Sequence, residues 1–182
     1  MNLGSGDIGV LNYAYALEQL EAAFYTQVVA TPFTGITSEE TAILSDLKLH
    51  EIAHRDFLKA ALGASAIKNL TVNFSSIDFT SRTSVLNTAK AFEDLGVPAY
   101  NGAGKLIVDA NYLLIAGKIV SVEARHAAAI RDLLNPNSAD FAGDDVVTAA
   151  NGLDVSRTPS QVLAIADTYI TDTIDASNLP VN

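Results

Sequence analysis

The sequence predicts an all-α protein: a four-helix bundle with a long crossover between helices 2 and 3, plus a short C-terminal helix. Three observations carry this reading. Four long stretches repeat apolar residues at helical spacing. Between the second and third, residues 64–82 abandon that spacing and alternate instead. Glutamate and histidine also recur at nearly constant offsets, as though one helix pair repeated the other. Glu51 to Glu123 and His54 to His126 both span 72 residues, and Glu18 to Glu93 spans 75.

Residues 7–30 read as the first helix. Asp7 is placed to cap it, and Leu11, Ala14, Glu18, Ala22 and Tyr25 share a face. Pro32 and Gly35 end it. Thr37 and Glu40 make a capping box for the second helix, 38–62, whose inward stripe is Leu44, Leu47, Glu51, His54 and Leu58. Gly63 stops it. The crossover then sets Leu70, Val72, Phe74, Ile77 and Phe79 along one side. A third helix opens near Ser81 or Ser84, and Pro98 is expected to kink or end it. The fourth, 105–134, carries Tyr112, Ala116, Ile119, Glu123, His126, Ile130 and Leu133 on one face. "NPNSADFAGDD" reads as a loop, and its Asp144 and Asp145 lack calcium-loop spacing. Thr158, Pro159 and Gln161 open a short last helix, 159–171, and the tail 175–182 reads as irregular. One domain is expected over 1–182, with the bundle at 7–134 and an extension at 135–182.

The composition is that of a globular chain, with 49% hydrophobic and 18% charged residues among 182. A net charge of −10 argues against nucleic acid or anionic lipid as partners. With no cysteine, the chain has no disulfide, thiolate metal site or thiol nucleophile. Its most apolar stretch is interrupted by Asp109, Lys118 and Glu123, so no membrane span is expected. The first residues show neither the basic nor the apolar part of a signal peptide.

Two of the three histidines stand three residues after a glutamate, in "HEIAHRDFL" and "SVEARHAAA". Three residues of α-helix turn through about 300° and rise about 4.5 Å. Each Glu and His therefore point the same way. Both pairs lie on otherwise apolar stripes, where a lone carboxylate is costly to bury and a divalent cation would offset that cost. The chain has 14 Asp but only 7 Glu. Glu39 and Glu40 sit in a first helical turn, where the dipole favours anions. Of the other five, Glu18, Glu51, Glu93 and Glu123 supply one inward carboxylate to each long helix. Glu21 is a rival to Glu18, which has the better spacing to Tyr25. His50 should point off the ligand face, and Arg55 and Arg125 read as surface residues.

One Glu from each of two helices plus Glu-x-x-His from each of two others resembles the ferritin-like di-metal carboxylate superfamily. "LNYAYALEQLEAAFY", "FEDLGVPAYNGA" and the two Glu-x-x-His segments are most similar to the ferritin-like domain and desiccation-related subgroup, over about residues 7–134. The resemblance implies a ferritin-like bundle with Glu51 and Glu123 bridging two metal ions. His54 and His126 would each bind one ion, and Glu18 and Glu93 would be terminal ligands. Tyr25, seven residues after Glu18, would be the catalytic tyrosine, bonding a ligand carboxylate or relaying an electron. Fe or Mn would be the cofactor, and Zn suits the same donors. The partners implied are metal ions and a small oxidant, oxygen or peroxide. The implied chemistry is ferroxidase-like or manganese-catalase-like, in stress protection; the alternative is a non-catalytic metal-binding or structural protein of the same kind. A monomer or homodimer is expected rather than a storage cage. Related proteins are often exported, although this chain shows no signal. The sequence leaves open the native metal and the substrate.

Overall fold

Four long helices run through the computed structural model, which describes residues 1–180. They are α1 (Gly6–Ala30), α2 (Ser38–Leu62), α3 (Arg82–Gly104) and α4 (Ala110–Leu134), followed by a short α5 (Pro159–Ala166). Single 3₁₀ turns lie at Gly63–Ser65, Asp140–Ala142 and Asp167–Tyr169. The described residues contain no strand, only three isolated β-bridges. The expected four-helix bundle is therefore present, with its crossover and short C-terminal helix. The tail is irregular as far as Pro180; Val181 and Asn182 lie outside the described residues.

α1 packs mainly against α2 and α3 mainly against α4, with slighter contact between the two pairs. The crossover follows its alternating pattern: Ile77 is buried, Leu70, Val72, Phe74 and Phe79 are half-buried, and the residues between them are exposed. Phe74 and Phe79 meet Phe24 at ring-centroid distances of 6.0 Å, and Phe92 closes the group at 5.1 Å from Phe24. This aromatic cluster fixes the crossover along the bundle.

The capping boxes form at Thr37–Glu40 and Thr158–Gln161. Four boundaries depart from expectation. Asp7 does not cap α1; Ser5 holds the cap position without a side-chain bond. The Asp7 carboxylate instead accepts the amides of Val108 and Asp109, both at 2.8 Å. Those two bonds hold a turn after α3, so α4 starts at Ala110 rather than 105, capped by Asp109 through the Asn111 amide. Pro98 does not end α3, which continues to Gly104. An interior proline costs about 3 kcal/mol. Val97, Pro98, Ala99 and Tyr100 are all buried, which offsets that cost. The Pro98 carbonyl also accepts the Arg157 amide at 3.0 Å. Gly102 allows this approach, since a Cβ there would stand 1.7 Å from the Arg157 oxygen. Finally, α5 stops at Ala166 because the chain after it pairs with the crossover. Asn73 donates to the Tyr169 carbonyl at 2.8 Å, and Thr171 donates to Thr71 at 2.9 Å.

Candidate metal centre

The middle of the bundle is polar. Glu18 on α1, Glu51 on α2, Glu93 on α3 and Glu123 on α4 are each 0% exposed. Each sits on its helix where the apolar stripe faces the axis, so the periodicity that builds the core also buries the carboxylates. His54 and His126, one turn beyond Glu51 and Glu123, complete the set.

The ligand atoms converge in two groups. Glu18, Glu51, His54 and Glu123 form one, and Glu51, Glu93, Glu123 and His126 the other, with the atoms of each group within 4.8 Å of one another. Glu51 and Glu123 belong to both. His54 Nδ1 lies 3.0 Å from Glu123 Oε1 and 3.4 Å from Glu18 Oε2. His126 Nδ1 lies 2.7 Å from Glu51 Oε1 and 3.5 Å from Glu93 Oε2. Even so, among the described residues eight of these buried atoms have no hydrogen-bond partner of good geometry. They are Glu18 Oε2, both oxygens of Glu51 and of Glu123, Glu93 Oε2, and Nδ1 of His54 and His126. Unpartnered buried polar atoms are rare in folded proteins. Eight in one place, all lone-pair donors, fit two divalent cations, whose four positive charges would match the four carboxylates.

Electrostatics without the cations agree. Burial pushes Glu18 up to about 7, despite the His54 imidazole beside it. Burial, then the neighbouring carboxylates, raise Glu123 and Glu21 well above the usual range. Burial also lifts Glu93. Glu51 goes the other way: against burial, the His126 and His54 rings hold it near 2. Burial alone would depress the histidines, but the carboxylates raise His54 to about 12 and His126 to about 10.

Two tyrosines brace the outer carboxylates. Tyr25 donates to Glu93 Oε1 at 2.5 Å, across the bundle from the Glu18 whose spacing it follows. Tyr100 donates to Glu18 Oε1, also at 2.5 Å. Sequence reasoning missed Tyr100, although the signal was there. It follows Glu93 by seven residues, as Tyr25 follows Glu18, and the two tyrosines are 75 apart like the two glutamates. His50 was also missed. It is exposed, as expected for its position beside Glu51, yet its Nδ1 reaches His126 Nε2 at 2.9 Å.

The family model for the ferritin-like domain matches residues 6–136. The chain belongs to this family. The matched span takes in all four long helices and every residue of the centre. A comparison with curated proteins finds no match. Within this ferritin-like bundle Glu21 is buried but belongs to neither group of converging atoms. It lies on the Gly96 side, where an added Cβ would stand 3.1 Å from Glu123 Oε2 and 3.3 Å from Glu21 Oε1. Arg55 pairs with Asp56, and Arg125 donates to the Ser121 carbonyl, so neither reaches the centre. Asp145 is held by Arg131 rather than set up as a cation site. No helix among the described residues is long and apolar enough to cross a membrane.

Proposed function

We propose that the protein is a di-metal redox protein acting on Fe(II), oxygen or peroxide. The observation that carries this is the convergence of eight unpartnered buried ligand atoms into two groups that share Glu51 and Glu123. Glu51 and Glu123 would bridge, His54 and His126 would each hold one ion, and Glu18 and Glu93 would be terminal. Bound Fe or Mn would supply one-electron chemistry at neutral pH, which Zn would not. The chain's own contribution is placement and dryness. Tyr100 and Tyr25 orient Glu18 and Glu93 and keep one oxygen of each occupied, leaving the other for metal. Tyr25, buried against Glu93, can hold a proton on its hydroxyl oxygen beside the centre.

The apolar cavity that runs beside Tyr100, between Leu17, Leu58 and Ile119, is about 20 Å³. That is room for about one water-sized molecule. A stress or desiccation role, a monomeric or dimeric state, and a single domain spanning bundle and extension belong to the same reading.

The test is metal content per chain by mass spectrometry, on wild type and a Glu51→Ala/Glu123→Ala variant purified without chelator. About two Fe or Mn per chain, lost in the variant, supports the reading. No bound metal after anaerobic loading with Fe(II) or Mn(II) sinks it. Metal bound without turnover of Fe(II) or peroxide would leave a metal-binding protein and remove the redox claim.

A further inference from the structure

The six ligands and two tyrosines obey an approximate two-fold relation, and His50 breaks it. Its ring meets that of His126 edge to edge, with centroids 5.2 Å apart and planes 6° apart, and its Nδ1 meets His126 Nε2 at 2.9 Å. The other nitrogen of His126, Nδ1, is the one that faces Glu51 and Glu93. A neutral imidazole carries one N–H. If Nδ1 gives its lone pair to a metal, the N–H must be on Nε2, and His50 Nδ1 is the acceptor waiting for it. His50 then carries its own proton on Nε2, on the exposed face of α2.

Among the described residues, His54 has no such support. The 72-residue offset that maps His54 onto His126 maps His50 onto Val122, whose side chain has no hydrogen-bonding atom. The His54 side chain is also more open, at 13% exposed against 4% for His126.

Resting on the di-metal reading above, we propose that His50 is a positioning residue: it fixes His126 as an Nδ1 ligand, so the His126 position holds its ion more tightly than the His54 position. Partners that orient a ligating histidine are typically worth about 10- to 100-fold in metal affinity. His50 does this for one position only, so the two ions should bind in separable steps.

The experiment is a Co(II) titration of the whole chelator-stripped protein, read by visible absorption, for wild type, His50→Ala and His50→Gln. Long-range ¹H–¹⁵N spectra of the Zn(II)-loaded protein accompany it. Wild type should take two ions in two steps. His50→Ala should weaken the tighter step about 10- to 100-fold and leave the other within about two-fold. His50→Gln, whose amide oxygen can accept the same N–H, should recover part of the loss. The spectra should show His126 protonated at Nε2 only. Equal weakening of both steps, no change in either, or no recovery by glutamine overturns the proposal and leaves the di-metal reading standing. A wild type that binds no metal overturns both.

Discussion

Loading the centre should raise the melting temperature by an amount that one bridging glutamate controls. Glu18, Glu51, Glu93 and Glu123 are fully buried, and their unpartnered oxygens face one another. Two divalent ions would neutralise them. With free metal at 100 times the dissociation constant, each ion stabilises the fold by about 2.7 kcal/mol, or about 5.4 kcal/mol for two. A domain of this size shifts by about 2–4 °C per kcal/mol. Its melting temperature should therefore rise by about 11–22 °C. Glu123→Gln keeps the side-chain shape and removes a carboxylate common to both positions. It should take away most of that rise. In the metal-free protein the same change removes a buried carboxylate whose burial and acidic neighbours already disfavour ionisation, so it should be neutral or stabilising. The assay is a calorimetric melt of each protein, stripped and then loaded with Mn(II). An equal rise in wild type and Glu123→Gln, or no rise in wild type, would refute the reasoning.

The two tyrosines should behave as twins: Tyr25→Phe and Tyr100→Phe each free one terminal carboxylate and should each weaken metal binding by about 10- to 100-fold in a chelator competition. An effect from Tyr25→Phe alone would break the two-fold account of the site. Gly96→Ala improves helix propensity by about 1 kcal/mol. Its Cβ would nonetheless crowd Glu123 and Glu21 at 3.1 and 3.3 Å, so metal affinity should fall while helicity by circular dichroism holds. The stripped protein should lose stability as pH rises. His54 and His126, raised to about 12 and 10, stabilise fully below their unfolded value of 6.5 and lose that contribution as pH climbs through the folded values. Glu18, raised to about 7, acts in the same direction from its ordinary value of 4.5 upward. Glu51, held near 2, adds stability that is lost only as pH falls below 4.5 toward 2. Urea unfolding at pH 5.5 and 8.5, two values of about one charge state each for free carboxylate and imidazole, should find the stripped protein firmer at the lower. Metal loading, which needs deprotonated ligands, should reverse that order.

Helix spacing and punctuation made the bundle legible, because those signals are local. The Thr37–Glu40 and Thr158–Gln161 boxes act over four residues and form where they were read. Asp7 was misread because its carboxylate is used about a hundred residues away, at Val108 and Asp109. Pro98 did not end α3 for a similar reason: the burial that keeps the helix going comes from its neighbours in space. At the centre, the Glu-x-x-His pairs could be seen because each lies within one helical turn. The bond between His50 and His126 could not, since it depends on the angle at which α2 faces α4. Tyr100 falls between these cases. Its offset from Glu93 repeats that of Tyr25 from Glu18, but its target, Glu18, lies on another helix.

That cross-helix pattern shows what the centre does for the bundle. Packing within α1–α2 and within α3–α4 is extensive, while packing between the pairs is slighter. The polar groups run the other way. Tyr25 on α1 holds Glu93 on α3, and Tyr100 on α3 holds Glu18 on α1. The first group of converging atoms joins α1 and α2 to Glu123 on α4, and the second joins α3 and α4 to Glu51 on α2. Arg82 on α3 adds a link to Glu40 on α2. Two helical hairpins that share one apolar core are therefore also tied to each other by tyrosine–carboxylate bonds. A hydrophobic centre of the same volume could have joined them at lower electrostatic cost. With four carboxylates there instead, any cation they bound would add a link between the two halves, so metal occupancy would be expected to strengthen the bundle.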